Sequence, residues 1–196
     1  MISLFCLTHR FKRGMLEISS EISYSELRDY LRPLQNKILP DNVLFKIAFG
    51  KKRYDIIRLF QGGGEGFYSQ KIVDILSQFV DMSDKCFPIN IEGIEEKYYV
   101  INNLRAYPFW NRKEHTFMDD PYYFGIHDNN ISIAGIEGTS IILVSEEIRN
   151  ALVKNKISNI SLIEAFGCSF EEYEKIKESN FKPQIHIYED KIGYNL

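Results

Sequence analysis

Cys168 and Ser169 stand side by side at the start of an amphipathic stretch, Phe170 to Ile176. A thiol at a helix N-terminus feels the positive end of the dipole, which lowers its pKa toward a nucleophilic thiolate, and a fold could bring His127 or His186 to it as base. Cys6 and His9 could both ligate a metal, but residues three apart on a strand face opposite sides and no second pair lies nearby. His115, His127 and His186 are scattered, with neither an HExxH pattern nor a Gly-x-Ser-x-Gly elbow. Glu146 and Glu147 are adjacent, so on a helix they point about 100° apart, and favourable interaction with the helix dipole accounts for both. Gln61 to Ser69, QGGGEGFYS, lies where a phosphate-cradling loop would lie, between strand and helix. It lacks the Gly-Lys-Ser/Thr ending and the dinucleotide spacing, and Glu65 would repel an anion. The expectation is therefore no catalytic, cofactor-binding or metal-binding residue. A small cytoplasmic enzyme using Cys168 or a glutamate is the alternative.

The residues suited to gripping another macromolecule lie between Tyr107 and His127, where Tyr107, Phe109, Trp110, Phe117, Tyr122, Tyr123 and Phe124 alternate irregularly with charges. Rigid rings supply large contact area at small entropic cost, so Trp110, Tyr122 and Tyr123, with Asp119 and Asp120 as charge partners, form the expected contact face. A long loop folding its rings over the sheet has the same composition.

Net charge is −3. Residues 1–100 hold 14 basic and 13 acidic side chains and residues 101–196 hold 10 and 14, which argues against nucleic acid as ligand and suits a basic protein partner. No apolar run approaches the roughly 18–20 residues that span a bilayer, and His9, Arg10, Lys12 and Arg13 follow the first apolar stretch, the reverse of a secretory leader. The expected location is the cytoplasm, without membrane contact. Cys6, Cys86 and Cys168 are odd in number and set among apolar neighbours, so reduced core thiols are expected.

With 44% hydrophobic residues in 196, the chain can bury a sizeable core as a single domain, 1–196. Lys97 to Trp110 reads as the middle strand, with Tyr98, Val100, Leu104 and Ala106 on one face and Asn102 interrupting it, so that amide must find backbone partners or a bound protein. Ile2–Thr8 is an opening strand with Gly14–Ser19 as its hairpin partner, and Asn42–Phe49 and Arg53–Phe60 are two more strands. Ser23 and Glu26 form a capping box for a helix carrying Leu27, Tyr30, Leu31 and Leu34 on one stripe, with Pro33 ending or kinking it. Ser69 caps a helix with Ile72, Val73, Leu76, Phe79 and Val80 inward. Cys86–Glu92 pairs with the middle strand, placing Ile89 and Ile91 near Tyr99 and Ile101.

Asn129–Ile136 is a strand, and Thr139–Val144, apolar at four consecutive positions, is an interior one. Ser145 caps a helix, Ile157–Phe166 is extended, Ser169 and Glu172 form a second capping box, and Gln184–Asp190 closes the chain. These elements add up to an α+β fold, a mixed and largely antiparallel sheet with three to four amphipathic helices packed on it.

Several of these segments together resemble a family of bacterial immunity proteins from polymorphic toxin systems. Its members show a Ser-led amphipathic helix, here Ser69, Ile72 and Leu76; a strand reading Tyr-Tyr-Val-Ile-Asn, here Tyr98 to Asn102; and an apolar strand ending in Val-Ser-Glu before a helix, here Val144, Ser145 and Glu146, then Leu152 and Ile157. The resemblance spans residues 67–166, leaving residues 1–66 and a C-terminal helix and strand, 167–196, outside it. It implies a non-catalytic protein that binds one cognate toxin and occludes its active surface. A scaffold or regulatory protein-binding module is the further alternative.

Overall fold

The computed structural model describes residues 1–32, 37–60, 62, 65–112, 121–128, 130–179 and 181–190. Its elements follow in the order β1 (Ile2–His9), β2 (Glu17–Ser20), α1 (Tyr24–Leu31), β3 (Leu44–Phe49), β4 (Ile56–Leu59), β5 (Gly66–Ser69), α2 (Gln70–Leu76), β6 (Cys86–Ile91), β7 (Tyr98–Ile101), β8 (Ala106–Tyr107), β9 (Tyr122–Phe124), β10 (Ile133–Ile136), β11 (Ile142–Val144), α3 (Glu146–Lys154), β12 (Ile160–Gly167), α4 (Phe170–Ser179) and β13 (Ile187–Glu189). The fold is α+β, as expected, but its strands divide between two sheets, one of them closed into a barrel.

The open sheet runs β13-β12-β1-β11-β10-β8, with β9 also on β12. β1 pairs along its whole length with β12, and through Phe5, Cys6 and Leu7 with β11. Consecutive apolar residues serve both faces here. Ile142 and Val144 enter one core, with Phe5 and Leu7, while Leu143 enters the other, with Leu4 and Cys6. β11 is thus the interior strand that its composition demands.

The barrel runs β2-β3-β6-β7-β5-β4 and closes through the parallel β2–β4 pair. Ile18, Phe45, Ile57, Leu59, Phe67 and Val100 fill the interior together with Leu27 and Leu31 of α1. The core that Leu7, Ile142 and Val144 enter also joins the two sheets: Ile56, Tyr68 and Ile101 of the barrel meet Leu7, Ile142 and Leu162 of the open sheet across Ile72 and Leu76 of α2 and Ile148 and Leu152 of α3.

Four expectations about pairing and extent are corrected. The Lys97–Trp110 strand is two strands: β7 belongs to the barrel and β8 to the open sheet, with Asn103 at φ 54° between them. Asparagine tolerates the left-handed region, and the neighbouring Asn102 fixes the crossing. Its buried amide donates to the carbonyls of Tyr30 (2.7 Å) and Lys37 (3.1 Å) and accepts from Asn103 N (2.7 Å), so the polar interruption of the apolar face is structural.

The Gly14–Ser19 segment supplies β2, which pairs with β3 and β4 rather than with β1. β6 and β7 do form a hairpin, but in a register three residues away from the expected one, so that Ile89 faces Tyr98 and Cys86 faces Ile101. α2 stops at Leu76, leaving Phe79 38% exposed, and Ser69 Oγ bonds Asp55 Oδ1 (2.9 Å) instead of capping the helix.

The other caps form as their sequences dictate. Ser23 and Glu26 complete a capping box, Ser145 Oγ accepts from Ile148 N, and Ser169 and Glu172 exchange bonds of 2.9 and 3.2 Å. α1 ends at Leu31, and Arg32 turns extended, the conformation that a following proline imposes. Leu34 and Pro33 lie outside the described residues. No helix among the described residues is long and apolar enough to cross a membrane.

Candidate functional site

Of the five residues expected to form one contact face, the structure brings only some together. Tyr122 and Tyr123 are neighbours on β9, and neighbouring strand residues point to opposite faces. Tyr123, 5% exposed, is buried with Phe166, Cys168 and Tyr173. Tyr122 turns the other way, stacking on Phe124 at 6.1 Å and meeting Phe109 at 5.7 Å. Asp119 and Asp120 lie outside the described residues, as does His115.

Trp110 stays on the Tyr123 side. Its indole N–H donates to the Cys168 carbonyl (3.1 Å), and its backbone N–H to the Tyr123 carbonyl (2.9 Å). One face of the ring packs into that small core. Against it, edge-on at 5.3 Å, stands Phe170, whose side chain is 55% exposed.

Phe170 was not among the expected contact residues, although a signal for it was present. It is an aromatic residue at the first position of a capped helix, one turn from the inward-facing Tyr173, and it cannot share the inward direction with Tyr173 and Ile176 fully. Around it α4 carries Glu171, Glu172, Glu174 and Glu178 against Lys175 and Lys177, so the exposed ring sits on an acidic helix.

No known protein family, curated protein or solved structure matches this chain.

The chemistry at Cys168 runs opposite to activation. Burial, with the Glu172 carboxylate adding to it, pushes the thiol up to about 11. Burial likewise raises Cys6 and Cys86 to about 12. All three cysteines are free thiols. A nucleophilic cysteine requires the reverse shift. Among the described residues no three His, Cys, Asp or Glu side chains gather into a set that could hold a metal ion.

A second surface lies on the barrel. β2 brings together side chains distant in sequence: Ile18 faces Ile47 and its carbonyl accepts from Phe60 N, while Glu17 faces Phe49 and binds Arg58, whose guanidinium lies 4.9 Å over the Phe11 ring. Phe11, Ile47, Phe49 and Phe60 are each about half or more exposed, a grouping of large apolar side chains beyond the scattered ones any surface carries.

Proposed function

We propose that this chain is an immunity protein: it binds a cognate toxin and occludes the toxin's active surface, without catalysis. The observation that carries the reading is Phe170, an apolar ring left in solvent, braced edge-on by Trp110 and set on an acidic helix. A rigid ring at the centre of a charged rim is the composition of an interface anchor, and burying it on a partner contributes about 1.5–3 kcal/mol. The surrounding glutamates steer a basic partner and speed encounter. The resemblance across Tyr98–Asn102 and Val144–Glu146 supplies the toxin as that partner. Asp119 and Asp120 extend the same acidic character in sequence.

The test is co-expression with the product of the neighbouring gene, scored by rescue of growth and by isolation of the complex. Phe170→Asp combined with Glu171→Lys, both at exposed positions, is expected to weaken toxin binding by about tenfold or more at unchanged thermal stability. Full protection by that double variant would reject this face.

The exposed Phe11, Ile47, Phe49 and Phe60 support a second reading, a scaffold or regulatory binding module that docks through the barrel. Phe49→Ser with Phe60→Ser would then abolish partner binding while the α4 variant leaves it intact.

A further inference from the structure

The β1–β11 ladder ends at Leu7 and Ile142, and beyond it a cleft of about 480 Å³ opens between His9, Arg10 and Phe11 on one side and Ser140 and Ile141 on the other. That volume lies in the range of small-molecule sites. Tyr68, Tyr122, Ile163 and Ile187 add apolar and aromatic wall, and the ion pair of Arg10 with Glu189 (2.6 Å) stands at its rim. Tyr68 and Ser140 line both this cleft and a smaller inner void of about 10 Å³, which Glu65 also lines.

Glu65 is 7% exposed. Its Oε1 accepts from the Tyr24 hydroxyl (2.5 Å), while its Oε2 has no hydrogen-bond partner. A buried carboxylate oxygen left unmatched costs free energy, and such a group in a native fold calls for an explanation. The nearby charges do not supply one. Arg58 is committed to Glu17, bonding it at 2.9 Å. Burial and the Arg58 charge hold His9 below its ordinary pKa, so at neutral pH it adds no positive charge, and its Nδ1 also has no partner. Two carboxylates, Glu17 and Glu65, therefore stand against one guanidinium, Arg58, behind His9, which itself lines the cleft.

We propose that this cleft binds a small organic cation, an alkylammonium or arylalkylammonium, whose charged head pairs with Glu65 while its hydrocarbon body lies against Tyr68, Tyr122 and Ile163. An ammonium head supplies the N–H donors that Oε2 lacks, and charge-assisted bonds of this kind are the strong ones. Aromatic walls favour a cation over a neutral ligand of equal size. The site is independent of the toxin-binding face on α4.

The experiment is calorimetric titration of the full chain with 2-phenylethylamine, and with 2-phenylethanol as the neutral match in size. The amine is expected to bind saturably and the alcohol not. Glu65→Gln should weaken amine binding by about tenfold or more, with its circular dichroism unchanged. Ile187→Lys, a rim substitution at a position 49% exposed that cannot unfold the core, should weaken it as well. Absence of saturable amine binding to the wild-type chain at millimolar concentration would overturn the proposal, as would equal affinity for the alcohol or for Glu65→Gln.

Discussion

Replacing Asp190 with alanine is expected to destabilise the chain by about 3–5 kcal/mol, the cost of leaving one member of a buried ion pair uncompensated. Lys12 and Asp190 are each 4% exposed in the side chain and meet at 2.5 Å. The carboxylate does more than neutralise the ammonium: Oδ2 accepts from Asn159 N (2.9 Å) and Oδ1 from Ile160 N (3.1 Å), tying the start of β12 to residue 190. Lys12→Met removes the ammonium but leaves those two backbone donors on the carboxylate, so its cost should be smaller, about 2 kcal/mol. For a chain of this length the Asp190→Ala change corresponds to a fall in Tm of roughly 6–20 °C. Urea denaturation followed by circular dichroism measures both variants. A cost below about 1 kcal/mol for Asp190→Ala, or a larger cost for Lys12→Met than for Asp190→Ala, would refute the reasoning.

Two glycines should respond very differently to alanine. Gly50 has φ +70° and a Cβ there would lie 1.9 Å from the Met15 carbonyl oxygen, so Gly50→Ala is expected to cost more than about 3 kcal/mol or prevent folding. Gly93 has φ +74° with nothing within 4 Å, and Gly93→Ala should cost only about 1–2 kcal/mol by the same denaturation assay. The thiols give a pH prediction. With Cys168 raised to about 11 and Cys6 and Cys86 to about 12, thiolate at pH 8 is on the order of 0.1% or less. Disulfide-reagent modification of the native protein should therefore be slow at pH 8 and rise about tenfold by pH 9, because thiolate increases as pH climbs toward a raised pKa. A single fast-reacting thiol at pH 8 would contradict that assignment.

The contact face shows how far composition reaches. Trp110, Tyr122 and Tyr123 fall within one segment of irregular sequence pattern, and nothing local assigns them to faces. β9 does so by pairing with Ala165–Gly167 of β12, which sends Tyr123 inward and Tyr122 to the opposite side. Phe170, sixty residues from Trp110, joins it only because Trp110 donates to the Cys168 carbonyl just before α4. Likewise Glu65, which in sequence argues only against a phosphate loop, becomes a buried carboxylate once β4 and β5 pair on either side of it.

What the sequence by itself determined are the properties that act within a few residues. The capping boxes at Ser23–Glu26 and Ser169–Glu172, the serine at the head of α3, the end of α1 before Pro33 and the two-sided burial of β11 all follow from local hydrogen bonding, backbone sterics or apolar runs. Only the tertiary structure decided that β2 joins β3 and β4, that β7 and β8 belong to different sheets, and that the β6–β7 register falls where it does. Alternation fixes which side chains share a face, but a strand's neighbours are chosen by which long-range pairing closes the barrel and buries the most apolar surface, and that competition involves the whole chain at once.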